Sequence, residues 1–168
     1  MHYRFCPFCG RALSSRLLGD EGEVPYCEDC RMPLFDHAYA CVLVLVVNDK
    51  EEAALLSQPE VIADYPVLVA GYIRPGESAE EAALRETAEE LGLAARAPRY
   101  IRSYYNACRD RLMLGFLVRT GSGSFRLSGE VAGAGWVPLS DAPTRLRPGS
   151  TAAALAEDAL LLLHPSTR

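Results

Sequence analysis

The segment Gly71–Leu93 reads GYIRPGESAEEAALRETAEELGL, and six of its residues are glutamate. Like charges on neighbouring helical positions cost stability. Such a density calls either for a solvated helix face or for cations held between carboxylates. Ser78 followed three residues later by Glu81 forms a capping box, and Gly92 stands where a left-handed C-cap is needed, which predicts a helix over Ala79–Leu91. At about 100° per residue, Glu89 then lies about 60° to one side of Glu86 and Glu90 about 40° to the other. The three carboxylates share one face, while Ala82, Ala83 and Leu91 serve others. Without a cation they would raise one another's pKa and weaken the helix. Hard oxygen ligands of this kind suit Mg²⁺ or Mn²⁺. Pro75-Gly76 turns Glu77 back toward the helix, where Arg85 can pair with it and hold the loop; Glu80 is left as solvated surface.

Around this segment the chain alternates strand-like and helical stretches. YACVLVLVVN, AALLSQ, VLVAGYI, RYIRSYY, RLMLGFLVR and EVAGAGWVPL read as strands by length and β-branched content. TAAALAEDALLLL, preceded by Pro148, Gly149 and Ser150, reads as a closing helix whose Ala and Leu residues pack on a sheet. Strands interrupted by two helices predict an α/β fold with a mixed sheet and helices on its faces. With 168 residues, 49% of them hydrophobic, the chain can bury one domain plus a small module. The net charge of -5 argues against broad adhesion to nucleic acid or anionic membrane. The longest apolar run, Tyr39–Val47, is about half of what a membrane helix needs, and MHYRFCPFCG carries no signal-peptide apolar region. No membrane association and a cytoplasmic location are expected.

Cys6/Cys9 in FCPFCG and Cys27/Cys30 in YCEDC have the spacing of a zinc ribbon, two knuckles that complete a tetrahedral thiolate site. Two disulfides or a redox dithiol is the competing reading. With all four positions cysteine, the zinc is structural, and it would supply most of the folding free energy of residues 1–36. Residues 37–168 form the second domain. Cys41 and Cys108 read as unpaired thiols, and His2, His37 and His164 receive no role.

The spacing of Gly71, Glu77, Arg85, Glu86, Glu89, Glu90, Gly92 and Leu93 resembles the Nudix box, with Thr87 the one departure from an aliphatic position. The likeness extends to the zinc-ribbon NADH pyrophosphatases. Their ribbon, A-G-F opening, strand-and-tryptophan segment and P-G-x-x-A helix start are matched by the four cysteines, Ala70-Gly71-Tyr72, GEVAGAGW and PGSTA. The resemblance implies a Nudix α/β/α sandwich after the ribbon, with Glu130 as a fourth carboxylate ligand beside Glu86, Glu89 and Glu90, and Ala152 as a backbone contact to substrate. The candidate catalytic set is Glu86, Glu89 and Glu90 with Glu77 and Arg85. The resemblance further implies a homodimer; the family's additional domain before the ribbon is expected to be missing here.

The family's specificity signature, S-Q-P-W-P-F-P, falls in register at SYYNACR, where only Ser103 matches and Asn106 stands in place of tryptophan. Tyr72 remains as one stacking face for a base, with Tyr104 or Tyr105 as candidates for the other. Arg109 and Arg111 are close enough in sequence to contact substrate phosphate. The implied activity is hydrolysis of a pyrophosphate bond with Mg²⁺ or Mn²⁺, by water whose proton passes to Glu89 or Glu90. NAD(H), a related dinucleotide, an NAD-capped RNA 5′ end or ADP-ribose is the substrate, and NAD would yield NMN and AMP. A non-catalytic nucleotide sensor and a ribbon that binds RNA or protein are the alternatives.

Overall fold

The computed structural model describes residues 3–164 and divides into two units between Ala38 and Tyr39; His2 lies outside the described residues. In the first unit, β1 (Ser14–Leu17), β2 (Glu23–Cys27) and β3 (Met32–Pro33) form an antiparallel sheet in that order. These short strands carry no clear alternation, and sequence patterning does not find them. Cys6, Cys27 and Leu34 make a small core with Tyr3, Leu13 and Cys30 packed against it. Gly10, at φ +75°, closes the first knuckle by donating its N–H to the Cys6 carbonyl at 2.9 Å.

The second unit is built on β4 (Tyr39–Asn48), the run of apolar β-branched residues. Along one edge it pairs in parallel with β8 (Arg111–Thr120), which pairs antiparallel with β7 (Arg96–Asn106). The other edge is shared. β6 (Val69–Tyr72) runs antiparallel beside Cys41–Val44, and β5 (Glu52–Ser57) joins only at Val47, continuing outward to β9 (Gly133–Pro138). The sheet is mixed, as the pattern predicts.

Alternation on β4 separates two cores. Val42, Val44 and Val46 lie in one cluster with Ala82, Ala83 and Leu91 of α1 (Ala79–Leu91), together with Phe116 and Val118. Cys41, Leu43, Leu45 and Val47 lie in the other with Ala153, Leu155, Ala156 and Ala159 of α3 (Thr151–Leu163). A strand covered by a helix on each face needs apolar residues at every position, which is why this run does not alternate. The result is a three-layer α/β/α arrangement. A short α2 (Ala142–Arg145), not expected from sequence, adds Ala142 to the second cluster.

The ends of α1 follow from its caps. The Ser78 hydroxyl accepts from the Glu81 N–H at 3.2 Å, and Glu81 Oε2 accepts from the Ser78 N–H at 2.8 Å. Gly92, at φ +66°, terminates the helix with its N–H on the Ala88 carbonyl. Thr87 is fully buried and its hydroxyl donates to the Ala83 carbonyl at 2.8 Å, so its methyl packs where an aliphatic residue is usual and no polar atom is orphaned. No helix among the described residues is long and apolar enough to cross a membrane.

Leu155→Ala should destabilise the second unit by about 2–5 kcal/mol, because Leu155 is fully buried between α3 and the sheet. Leu161→Ala, on the exposed side of the same helix, should stay within about 0.5 kcal/mol. Denaturant unfolding followed by fluorescence of the single tryptophan, Trp136, measures both.

Candidate active site

β6 delivers the chain to Tyr72, and the loop after it is tied down by one side chain. Arg85 donates from Nε to Glu77 Oε1 at 2.6 Å and from Nη2 to Glu77 Oε2 at 2.9 Å. The same Nη2 reaches the Tyr72 carbonyl at 3.0 Å, while Nη1 donates to Glu86 at 2.6 Å and to Glu89 at 3.0 Å. These contacts occupy all five donors of the guanidinium, which its planar fork permits and a lysine could not reproduce. The bidentate bond from Arg85, aided by the Arg74 N–H, holds the Glu77 carboxyl down at about 2. In turn Glu77 and the other carboxylates push the Arg85 pKa up. The expected Glu77–Arg85 brace is present. Arg74 also donates to Glu89 at 3.2 Å, a contact that helix geometry alone does not reveal, because Arg74 precedes the helix in a loop.

Four carboxylates, Glu86, Glu89, Glu90 and Glu130, line one cavity of about 400 Å³. Gly71 lies in the same wall, and a methyl group there would overlap the Glu86 carboxylate, so only glycine lets the acid approach the strand. Glu130 arrives from a loop forty residues further on. The Arg126 N–H bonds to the Leu91 carbonyl at 2.9 Å and the Ser128 N–H to the Glu90 carbonyl at 3.2 Å, fastening that loop to the last turn of α1. Glu90 is buried, and its Oε2 has no hydrogen-bond partner. Burial first, then the Glu86, Glu130 and Glu89 charges, push its carboxyl up to about 7, against a smaller opposing contribution from the Ala70 backbone. An orphaned buried oxygen facing three further carboxylates fits a hard divalent cation such as Mg²⁺ or Mn²⁺.

A second cavity, of about 570 Å³, adjoins the first and shares Ala70 and Arg111 with it. Tyr105, Asn106, Arg111 and Ala152 line it, so the structure gathers these four candidates at one place. Tyr104 is a correction: its hydroxyl donates to Asp158 at 2.8 Å and its ring packs against the α3-side core, so it lines neither cavity. Tyr105 lines the larger cavity and donates its hydroxyl to Asp110 at 2.9 Å, whereas Tyr72 lines the carboxylate cavity. The neighbours of Tyr72 are others. Tyr39 meets it edge-on at 5.9 Å, and the Arg111 guanidinium lies 4.9 Å from its ring centre while Nη2 donates to its hydroxyl at 2.7 Å. Strand pairing of Cys41 with both Tyr72 and Met113 brings Tyr39 and Arg111 into range, a relation that only the sheet creates.

In the first unit, the sulfurs of Cys6, Cys9, Cys27 and Cys30 all lie within 4.8 Å of one another. Cys6 and Cys30 are 3.9 Å apart and Cys9 and Cys27 3.5 Å, close to the edge of about 3.8 Å of a sulfur tetrahedron drawn around zinc at about 2.3 Å. Hydrogen bonds with Cys9 and Cys27 push the Cys30 thiol up to about 12, so four thiolates need a cation to coexist. The donor set fits zinc and leaves no open coordination position.

For the second unit without divalent cations, the raised Glu90 pKa sets a sign. The folded state binds the proton more tightly than an unfolded chain with an ordinary value near 4.5. Stability should therefore be full below about pH 4.5 and fall as pH rises to about 7. Thermal unfolding followed through Trp136 in magnesium-free buffer should show this slope in the wild type and lose it in Glu90→Gln; an equal slope in both would contradict the assignment.

The NUDIX domain family matches residues 37–156. The NAD-capped RNA hydrolase NudC of Vibrio cholerae is 30% identical over 158 residues, 94% of this chain and 57% of its own length. That of Photobacterium profundum is 29% identical, over 95% of this chain and 59% of its own. The chain thus spans under three-fifths of the curated relatives it matches. Among solved structures, a NUDIX hydrolase from Nitrosomonas europaea superposes with a TM-score of 0.77 at 18% identity, covering 98% of this chain and 94% of that one. The NUDIX domain of Shewanella oneidensis NrtR, solved with ADP ribose, superposes with a TM-score of 0.66 at 17% identity over 82% and 94% of the two chains. With its box residues gathered around one carboxylate cavity on this sheet, the chain belongs to the Nudix family.

Proposed function

We propose that the chain hydrolyses the pyrophosphate bond of a nucleoside diphosphate joined to a second group, with NAD(H) or a related dinucleotide as the first candidate. The observation that carries this reading is the convergence of Glu86, Glu89, Glu90 and Glu130 on one cavity in which Glu90 Oε2 is buried and unpartnered. Those residues would hold Mg²⁺ or Mn²⁺, ions that neutralise diphosphate charge and acidify bound water. Arg85 keeps Glu86 and Glu89 in place while Glu77 anchors it to the loop. Arg111, between the two cavities, is positioned to grip a substrate phosphate. Water attacks one phosphorus, the bridging P–O bond breaks, and the released proton passes to Glu89 or Glu90. Two phosphomonoesters leave, NMN and AMP if the substrate is NAD. The NudC relatives extend the candidates to NAD-capped RNA 5′ ends. A second reading, ADP-ribose or another nucleoside-diphosphate sugar, is favoured by Asn106, which lines the larger cavity where the resembled signature carries a tryptophan.

A panel of NAD⁺, NADH, ADP-ribose, diadenosine polyphosphates and NAD-capped RNA with Mg²⁺ or Mn²⁺ tests the reading; nucleotide binding without any turnover would reduce the chain to a sensor. Glu89→Gln and Glu90→Gln should each lower kcat by about two orders of magnitude or more, with the pH–rate profile flattened in whichever variant has lost the base. Arg85→Lys should lower activity at least tenfold, because the bidentate bond to Glu77 is lost. We further expect one zinc per chain by elemental analysis, absent after paired serine substitution of Cys27 and Cys30, and a freshly purified protein without zinc would contradict the ribbon assignment.

A further inference from the structure

Among the described residues, Glu89 is the acid of the carboxylate cavity that has two arginine partners. Arg85 donates to it at 3.0 Å, and Arg74 donates from Nη2 to both of its oxygens, at 3.3 and 3.2 Å. The two contacts are not alike. The Arg85 side chain is 17% exposed, and its bonds to Glu77, Glu86 and the Tyr72 carbonyl fix it independently of Glu89. The Arg74 side chain is 59% exposed and that of Glu89 46%, and a single nitrogen serves both carboxylate oxygens. A pair so exposed contributes little net stability and opens readily. The backbone of Arg74 is nonetheless anchored, because its N–H donates to Glu77 Oε2 at 3.0 Å and its carbonyl accepts from the Glu77 N–H at 3.1 Å. A guanidinium that swings from this fixed point remains beside the cavity that Arg74 lines.

The oxygens that Arg74 covers are those a divalent cation would need from Glu89. The buried, unpartnered Oε2 of Glu90 in the same cavity independently points to a cation there. Two positive groups on one carboxylate repel each other, so the ion and Arg74 compete for it. We propose that Arg74 occupies Glu89 until a divalent cation takes its place, and that the released guanidinium then binds an unbridged oxygen of the substrate diphosphate; the second step rests on the hydrolase reading. Glu89 does not drift during the exchange, because Arg85 still holds it. Once displaced, Arg74 finds in the diphosphate an acceptor of matching charge. Cation and substrate binding are thereby linked. The cation frees the arginine that the diphosphate uses, and by reciprocity the bound diphosphate, in keeping Arg74 away from Glu89, tightens the cation. In the metal-free chain the same arginine is neutralised by Glu89 and offers less attraction to a free diphosphate.

The test is calorimetric titration of the full chain with Mn²⁺ alone. Arg74→Gln leaves both backbone bonds to Glu77 in place, so the loop is retained. Loss of the competing guanidinium should tighten Mn²⁺ binding about two- to fivefold, the range expected of an exposed pair. In the Glu89→Gln background the same substitution should change the affinity by less than about 1.5-fold, because the pair it removes is already gone; this cycle separates the contact from the general effect of deleting a positive charge. Unchanged or weaker Mn²⁺ binding in Arg74→Gln, or an equal gain in both backgrounds, would overturn the exchange. The second step is read with α,β-methylene-ADP, whose P–C–P bridge is not hydrolysed. With saturating Mg²⁺ this analogue should bind Arg74→Gln about fivefold or more weakly than the wild type, and equal affinity would overturn that step. Failure of the hydrolase reading is seen separately, as absence of turnover on the dinucleotide panel.

Discussion

The site depends on Arg85. Its five donors join the loop residue Glu77, the strand carbonyl of Tyr72 and two acids of the helix that carries it, so one guanidinium fixes strand, loop and helix relative to one another. Removing a partner from a largely buried ion network leaves an uncompensated charge, which is why such networks are costly to break even where their net contribution to folding is small. Here the network also decides the geometry of the carboxylates. Glu86 is drawn over Gly71 and Glu89 is shared with Arg74, while Glu90, out of reach of the fork, stays buried with one free oxygen.

Two adjoining cavities of opposite charge result from this arrangement. One concentrates acids that cannot all remain ionised without cations; the other concentrates arginines that have no acids to pair with. Tyr72 lines the carboxylate cavity with one face already covered by Arg111, so base stacking there would compete with a cation–π contact and a hydrogen bond within the protein.

Much of the fold was legible because its signals are local. The caps at Ser78 and Gly92 bound α1 at the expected residues, the β4 run reads as a strand covered on both faces, and the two C-x-x-C knuckles bring their sulfurs together. The three short strands of the first unit were not legible, since two to five residues without alternation carry too little pattern. The role expected of Tyr104 failed for a geometric reason. Register shifts between Arg96 and Arg99 and between Tyr100 and Arg102 break the period of two along β7, and Tyr104 ends on the face of α3 and Asp158.

Residue type and spacing along one element were enough to set the helix, its acidic face, the Glu77–Arg85 brace and the donor chemistry of both candidate metal sites. It took the folded chain to bring Glu130 into one cavity with Glu90, to lay Arg111 over Tyr72 and to gather Arg109 and Arg147 at the start of α3. These contacts join residues far apart in the chain, and their geometry is set by strand register and loop docking, neither of which leaves a periodic trace in the order of amino acids.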